Sequence, residues 1–303
     1  MDTSEKGQHK LLYEGLNQHG FLFQERCAQI LEQEWKTTGW RLEAKEYPVS
    51  SSVKNTRIDI VLKDATLVNR DSPTIYAIVE CKRVNPSYTR AWLFGKPSSP
   101  TQQVSHVMHM FEDTHVDPFT GLAEPTISYS QEKVALDVVA PLISNWWLEI
   151  SSENNKTKAT PQPVEDALTQ VCVGLSGLAL EQEVQHGKHL GDEQRNHLRA
   201  YFLPIIITNA PLYYTEYKLA DVDLASGTIP EDKVLFGTPS PEPLPWVMVG
   251  YGVSRNITPE NFYEGVLGTS PKELQEYHTR TVFIVSSATL VNFFAKLHPE
   301  KLK

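Results

Sequence analysis

The run from Ile75 to Lys82, Ile-Tyr-Ala-Ile-Val-Glu-Cys-Lys, constrains this chain more than any other. Its β-branched and aromatic residues, with no Gly or Pro, predict a strand, and its apolar content predicts a buried one. Glu80 and Lys82 interrupt it with charge. They lie two residues apart, so both project from one face with Cα atoms about 6.5 Å apart, while Ile75, Ala77, Val79 and Cys81 take the other. A preceding strand is predicted where Ile58, Ile60 and Leu62 alternate with Asp59 and Val61, and Asp64 to Pro73 reads as the intervening turn. A hairpin of these two strands brings two carboxylates and one ammonium to the same sheet surface. Before them, Trp40, Leu42 and Ala44 alternate with Arg41, Glu43 and Lys45 in another strand, which Pro48 marks as an edge or an end. From Leu11 to Trp35 the pattern is helical, with Phe23, Cys27, Ile30, Leu31 and Trp35 on one stripe and an interruption at Gly20.

The remainder alternates helices and strands. A helix is expected around Thr101 to Phe111, an apolar patch from Val134 to Ile150, and a polar loop from Ser151 to Thr160. Pro161 and Pro163 introduce a helix whose Val164, Leu168, Val171, Leu175 and Leu178 form a seam, with Gly174 and Gly177 leaving a flat patch for close packing. Leu203 to Thr208 has the uniform apolarity of a central strand, as have Trp246 to Val249 and Val282 to Val285; a last helix follows at Thr289 to Leu297. Pro230 to Pro245 reads as a surface excursion. The predicted class is α/β, a mixed β-sheet opened by an antiparallel meander and flanked by helices.

Carboxylates such as Asp59 and Glu80 are hard oxygen ligands suited to Mg²⁺, which keeps several waters and accepts a phosphate oxygen. Held so, the ion stabilises an in-line phosphoryl displacement and acidifies the attacking water, while Lys82 orients that water or balances phosphate charge. In these elements the chain resembles the PD-(D/E)XK nuclease superfamily, the restriction-endonuclease-like and Holliday-junction-resolvase-like enzymes. Asp59 matches the motif's Asp, Glu80-Cys81-Lys82 its (D/E)XK element, and the order helix, three strands, helix, strand its core; Ile58 stands where the motif has proline. The resemblance implies a restriction-endonuclease-like core from segments near 10–85 and 163–210, an insertion at 84–160, and an α/β extension at 211–303, all in one domain. It implies Asp59, Glu80 and the Cys81 carbonyl as ligands of Mg²⁺ or Mn²⁺, and Lys82 as the catalytic lysine. The family's additional acid from the first helix would be Glu25, although Glu34 and Gln24 lie nearer the apolar stripe. Gln170, or Gln103 if the earlier helix is the core one, would supply a polar contact.

Composition sets the alternatives. The first 100 residues carry 14 basic and 12 acidic side chains, the rest 14 and 25, so the net charge of -9 is concentrated beyond residue 100. Such a chain is a poor non-specific nucleic-acid coat, and a local site in the first third is the better candidate. There Arg83, Arg90 and Lys96, interleaved with Tyr88, Trp92 and Phe94, could clamp phosphates and stack on bases; Trp92 and Phe94 could equally anchor a core. The expected partner is DNA, in phage defence or repair, with a protein partner on the acidic C-terminal part and a homodimer as further expectations. Three scattered cysteines, no apolar run near the ~18 residues that cross a bilayer, and an N-terminus unlike a signal peptide lead to the expectation of a cytoplasmic protein. His106, His109 and Asp113 would share one face of the expected helix; His186, His189 and His197 read as solvated. The competing readings are a non-catalytic module of the same fold that binds nucleic acid or protein, an enzyme acting on a small phosphorylated molecule, and a plain cross-strand ion pair worth about 0.2–1 kcal/mol.

Overall fold

The computed structural model describes residues 10–16, 20–50, 55–66, 73–84, 89–97, 105–117, 119–134, 143–153, 156–187, 199–236, 243–253 and 278–297. After a helical stretch at 10–16 come α1 (Phe21–Gln33), the single turn α2 (Trp35–Thr38), β1 (Trp40–Ser50), β2 (Asn55–Asp64), β3 (Thr74–Lys82), β4 (Thr89–Pro97), β5 (Ser105–Val116) and β6 (Ala123–Val134). They are followed by β7 (Ile143–Ser144), β8 (Trp146–Glu153), β9 (Lys156–Thr160), α3 (Gln162–Gly187), β10 (Arg199–Thr208), β11 (Leu212–Tyr217), β12 (Trp246–Gly252), β13 (Thr279–Ser286) and α4 (Leu290–Lys296).

The main sheet runs β1-β2-β3-β10-β13-β12-β7, with the β5–β6 hairpin joined to the first half of β10. Its meander β1-β2-β3 is antiparallel, and β3, β10 and β13 are parallel. The mixed α/β class expected from the pattern is what the chain adopts. On one face Leu31, Trp40, Ile60, Leu62, Ala77, Val79, Ile205 and Phe283 pack under α1 and α4. On the other, Ile58, Val61, Ile78, Phe202 and Ile206 pack under α3 together with Trp92, Phe94 and Leu212 from a second, four-stranded sheet, β11-β4-β8-β9. Apolar side chains therefore fill two layers, which is why β3 and β10 are apolar on both faces.

Helix α3 lies close to the sheet because it carries glycines where it crosses β1 and β2. A Cβ on Gly174 would come 2.9 Å from Ile58 Cγ1, and one on Gly177 would come 2.8 Å from Val49 Cβ. Its polar positions are tied down along its length. Trp147 Nε1 donates to Glu165 (3.1 Å), Thr169 and Tyr251 share a hydroxyl hydrogen bond (2.7 Å), and the Tyr47 hydroxyl donates to Glu181 (2.8 Å).

Two expectations fail. The helix expected at Thr101 to Phe111 is the strand β5 wherever it is described, paired from Ser105↔Val134 to Val116↔Ala123 with β6. Its turn closes through Asp117, whose carboxylate accepts the N–H groups of Phe119 and Thr120, and Gly121 at φ +68°, a left-handed conformation that glycine adopts at no steric cost. The helix face that His106, His109 and Asp113 were expected to share is therefore not formed. The loop expected at Ser151 to Thr160 is largely a β8–β9 hairpin at a solvated sheet edge, polar because it is exposed. Residues 84–160 add β4, β8 and β9 to the second sheet and β5, β6 and β7 to the main one. Beyond residue 210, β13 pairs directly with β10. Among the described residues no helix is long and apolar enough to cross a membrane.

Candidate functional site

Strands β3, β10 and β13 end together at Lys82, Thr208 and Ser286, and the carboxyl edge of such a parallel set is where open α/β sheets bind ligands. Antiparallel β2 brings Asp59 to the same edge. The β2–β3 backbone pairing stops at Ile60↔Val79. One residue beyond, the Asp59 carboxylate accepts the Cys81 N–H at 2.7 Å, so a side chain takes over from the backbone ladder. Here the simple alternation also slips. Ile60 and Leu62 face α1 as expected, but Ile58 faces α3 beside Gly174.

Glu80 follows Tyr76 and Ile78 in phase and is 4% exposed under α3. Lys82 Nζ lies 2.7 Å from Glu80 Oε1 and donates to Gln170 Oε1 on α3 at 3.0 Å. The helix thereby fixes the ammonium over the sheet edge. Cys81 points the other way, its thiol hydrogen-bonded with Cys27 and raised well above its ordinary value, first by that bond and then by burial. Beyond β3, Asn209 holds the chain with two hydrogen bonds to Val84, accepting its N–H at 2.7 Å and donating to its carbonyl at 3.1 Å.

The two carboxylates are protonated more readily than in water. Burial pushes Asp59 up to about 6, against the pull of the Cys81 N–H and Lys82. Glu80 rises to about 7, first through burial and then through the charge of Asp59, with Lys82 opposing. Among the described residues no three His, Cys, Asp or Glu side chains converge as a ready-made metal cage. The donors on offer are two desolvated carboxylates and a backbone carbonyl, which fit an ion that fills its remaining positions with water.

The structure thus brings Asp59, Glu80, Cys81, Lys82 and Gln170 together. Glu25 is not with them; it pairs at 2.7 Å with Lys45, both side chains part-exposed, because α1 turns its adjacent residue inward. That residue is Gln24, which is buried and donates to Glu46 and, at 3.4 Å, to the carbonyl of Asp59. Glu46 was not singled out in the sequence, although it continues the Trp40, Leu42, Ala44 phase and so breaks an apolar pattern with a charge, as Glu80 does. Arg90 pairs at 3.5 Å with buried Glu149 in the second sheet, where Trp92 Nε1 donates to the same carboxylate, so this stretch anchors a core. Arg83 is half-buried immediately after β3. The side chains of Lys96 and His106, and all of Gln103, His189 and His197, lie outside the described residues. His109 stacks on Tyr201 and lies 2.8 Å from Glu132, and His186, expected in solvent, packs 3.8 Å from Glu112.

The chain matches no family model, no curated protein and no solved structure. The reading of the site therefore rests on its own geometry.

Proposed function

We propose that the chain is a metal-dependent nuclease with a restriction-endonuclease-like core of the PD-(D/E)XK superfamily, hydrolysing phosphodiester bonds in DNA. The observation that carries this reading is the meeting of Asp59, Glu80 and Lys82 at one strand edge, with Lys82 held between Glu80 and Gln170. Asp59, Glu80 and the Cys81 carbonyl would hold Mg²⁺ or Mn²⁺, which when bound supplies Lewis acidity to a phosphoryl oxygen and to water. The residues of the chain do the rest. Lys82 presents a donor of fixed direction, able to orient a nucleophilic water and to meet charge that builds on phosphate. Glu80 anchors that ammonium, and Gln170 fixes its direction from the helix side. Arg83, next along the chain, is the nearest candidate in sequence for a phosphate contact.

One observation favours a second reading. Glu80, Lys82 and Gln170 satisfy one another without any ligand, as they would in a non-catalytic module that keeps the fold and binds nucleic acid or a protein.

Cleavage of circular plasmid, linear duplex and single-stranded DNA with Mg²⁺ or Mn²⁺ separates the two. The nuclease reading expects cutting by the wild type and a loss of about 10²-fold or more in Asp59→Ala and Lys82→Ala. No cutting of any substrate, with no Mg²⁺ or Mn²⁺ binding by calorimetry, selects the binding module.

A further inference from the structure

We infer that Asn209 is a positioning residue that sets Arg83 for contact with a backbone phosphate of the nucleic acid, at the corner where two strands pass from the main sheet to the second one. The inference deepens the nuclease reading by saying how its substrate is seated, and it rests on that reading for nucleic acid as the ligand. The topology defines the corner. Strands β3 and β10 are parallel partners as far as Thr208↔Lys82, and their continuations β4 and β11 are parallel partners again in the second sheet, from Leu212↔Trp92. On the β10 side the crossing is short. Asn209, Ala210 and Pro211 span it, and the Pro211 carbonyl already accepts the Trp92 N–H at 2.9 Å. On the β3 side it opens with Arg83 and Val84, directly after Lys82.

Arg83 is held in the corner through its neighbours. The β3–β10 register, carried one step past its last pair, sets Asn209 across from Arg83. The Asn209 amide reaches the residue beyond, accepting the Val84 N–H at 2.7 Å and donating to the Val84 carbonyl at 3.1 Å, so it replaces the backbone ladder where the two strands part. Neither end of this clip is loose. Val84 is buried in the core under α3, and the Ala210 N–H donates to Thr208 Oγ1 at 3.0 Å. On the other side of Arg83, Lys82 is fixed by Glu80 and Gln170. A residue between two pinned neighbours has a fixed backbone direction, which lowers the cost of ordering its side chain on a ligand. Successive residues of an extended segment alternate in direction, so Lys82 and Arg83 flank the strand end from opposite sides. A sugar–phosphate backbone laid across this edge meets Lys82 at the scissile phosphate and Arg83 at a neighbouring one, where the planar guanidinium matches two phosphate oxygens. Such contacts fix the register of the substrate and carry no sequence preference.

The test is fluorescence anisotropy of the full chain with two labelled DNA duplexes of unrelated sequence, in EDTA so that neither is cut, over a range of salt concentrations. Circular dichroism and thermal melts establish that each variant is folded. Arg83→Gln is expected to weaken binding about tenfold on both duplexes and to lower the slope of log affinity against log salt by about 0.9, the loss of one phosphate contact. Asn209→Ala is expected to do the same through Arg83, and the double variant to bind no worse than Arg83→Gln alone. Asn209→Asp, which keeps the bond from the Val84 N–H and loses the one to its carbonyl, is expected to fall between, and serves if Asn209→Ala does not fold. The assignment is overturned if Arg83→Gln or the Asn209 variants bind like wild type, if the Asn209 variants weaken binding without changing the salt slope, or if the two single losses multiply in the double variant. Absence of wild-type binding to both duplexes also overturns it. The expected binding pattern without any cutting once Mg²⁺ is added upholds the role of Asn209 while the nuclease reading fails.

Discussion

Glu80 is buried beside Lys82, and burial disfavours its ionised form. Its folded value of about 7, and that of Asp59 near 6, lie above the ordinary 4.5 and 3.8. Between roughly pH 4 and pH 7 the folded chain therefore holds more protons than the unfolded one, and stability falls as pH rises through this window. We expect this decline in metal-free buffer, measured by urea unfolding between pH 5 and pH 8. Glu80→Gln, which stays neutral, should flatten it and be more stable than wild type at pH 8 by about 1–2 kcal/mol. A variant that is less stable than wild type at pH 8 would contradict the assignment of a strained carboxylate. If the site takes Mg²⁺ as proposed, added Mg²⁺ should stabilise the wild type more at pH 8 than at pH 5, because a carboxylate must be ionised to bind a cation. At this scale the sequence was informative: charges inside an apolar strand mark Asp59 and Glu80. Glu46 escaped notice because its position opposite Asp59 depends on a β1 register that shifts between Leu42 and Ala44.

Helix α3 shows what a pattern can and cannot specify for an element. Its seam of Val164, Leu168, Val171, Leu175 and Leu178 is buried as the spacing predicts, and Gly174 and Gly177 do form the close contact. What the helix crosses was not legible, since a seam has no label for its partner. The close approach yields a prediction: Gly177→Val should cost about 1–3 kcal/mol through overpacking against Val49, read as a lower urea midpoint with unchanged slope. Destabilisation should reach the site, because Gln170 lies two turns earlier on the same face and would shift from Lys82. An unchanged midpoint would mean that the helix can slide without cost. Strand β5 was misread because Val107, Met108, His109 and Met110 are all buried, so no period of two is left for a sequence reading to find.

The whole molecule is closed by its last described helix. Leu290, Phe293, Phe294 and Leu297 are each 2% exposed or less, and they pack with Trp40, Trp246 and Phe283. Trp40 Nε1 also donates to the Leu297 carbonyl at 3.2 Å, tying the start of β1 to the end of α4. At about 1.5–3 kcal/mol per buried large apolar side chain, deleting residues 290–303 would remove a share of stability comparable to the ~5–15 kcal/mol of a whole domain. The truncated chain should therefore lose its cooperative thermal transition, measured by calorimetry, although every residue proposed for the cation site is retained. A truncated chain that melts cooperatively near the wild-type temperature would show that the two layers are independent.

By itself the sequence determined the local matters: strands at Trp40, Ile58 and Ile75, the apolar central strand at Leu203, the helix after Pro163, and the three charged residues whose cost of burial calls for a purpose. These follow from periodicity and from desolvation, which act on neighbours in the chain. The tertiary structure alone decided that Glu46 lies across from Asp59 in the β1–β2 register, that Gln170 meets Lys82, and that Arg90 turns to Glu149 in a second sheet. Those outcomes depend on register and on the packing of distant elements. A one-residue change of register moves a side chain to the opposite face, and no local pattern records it.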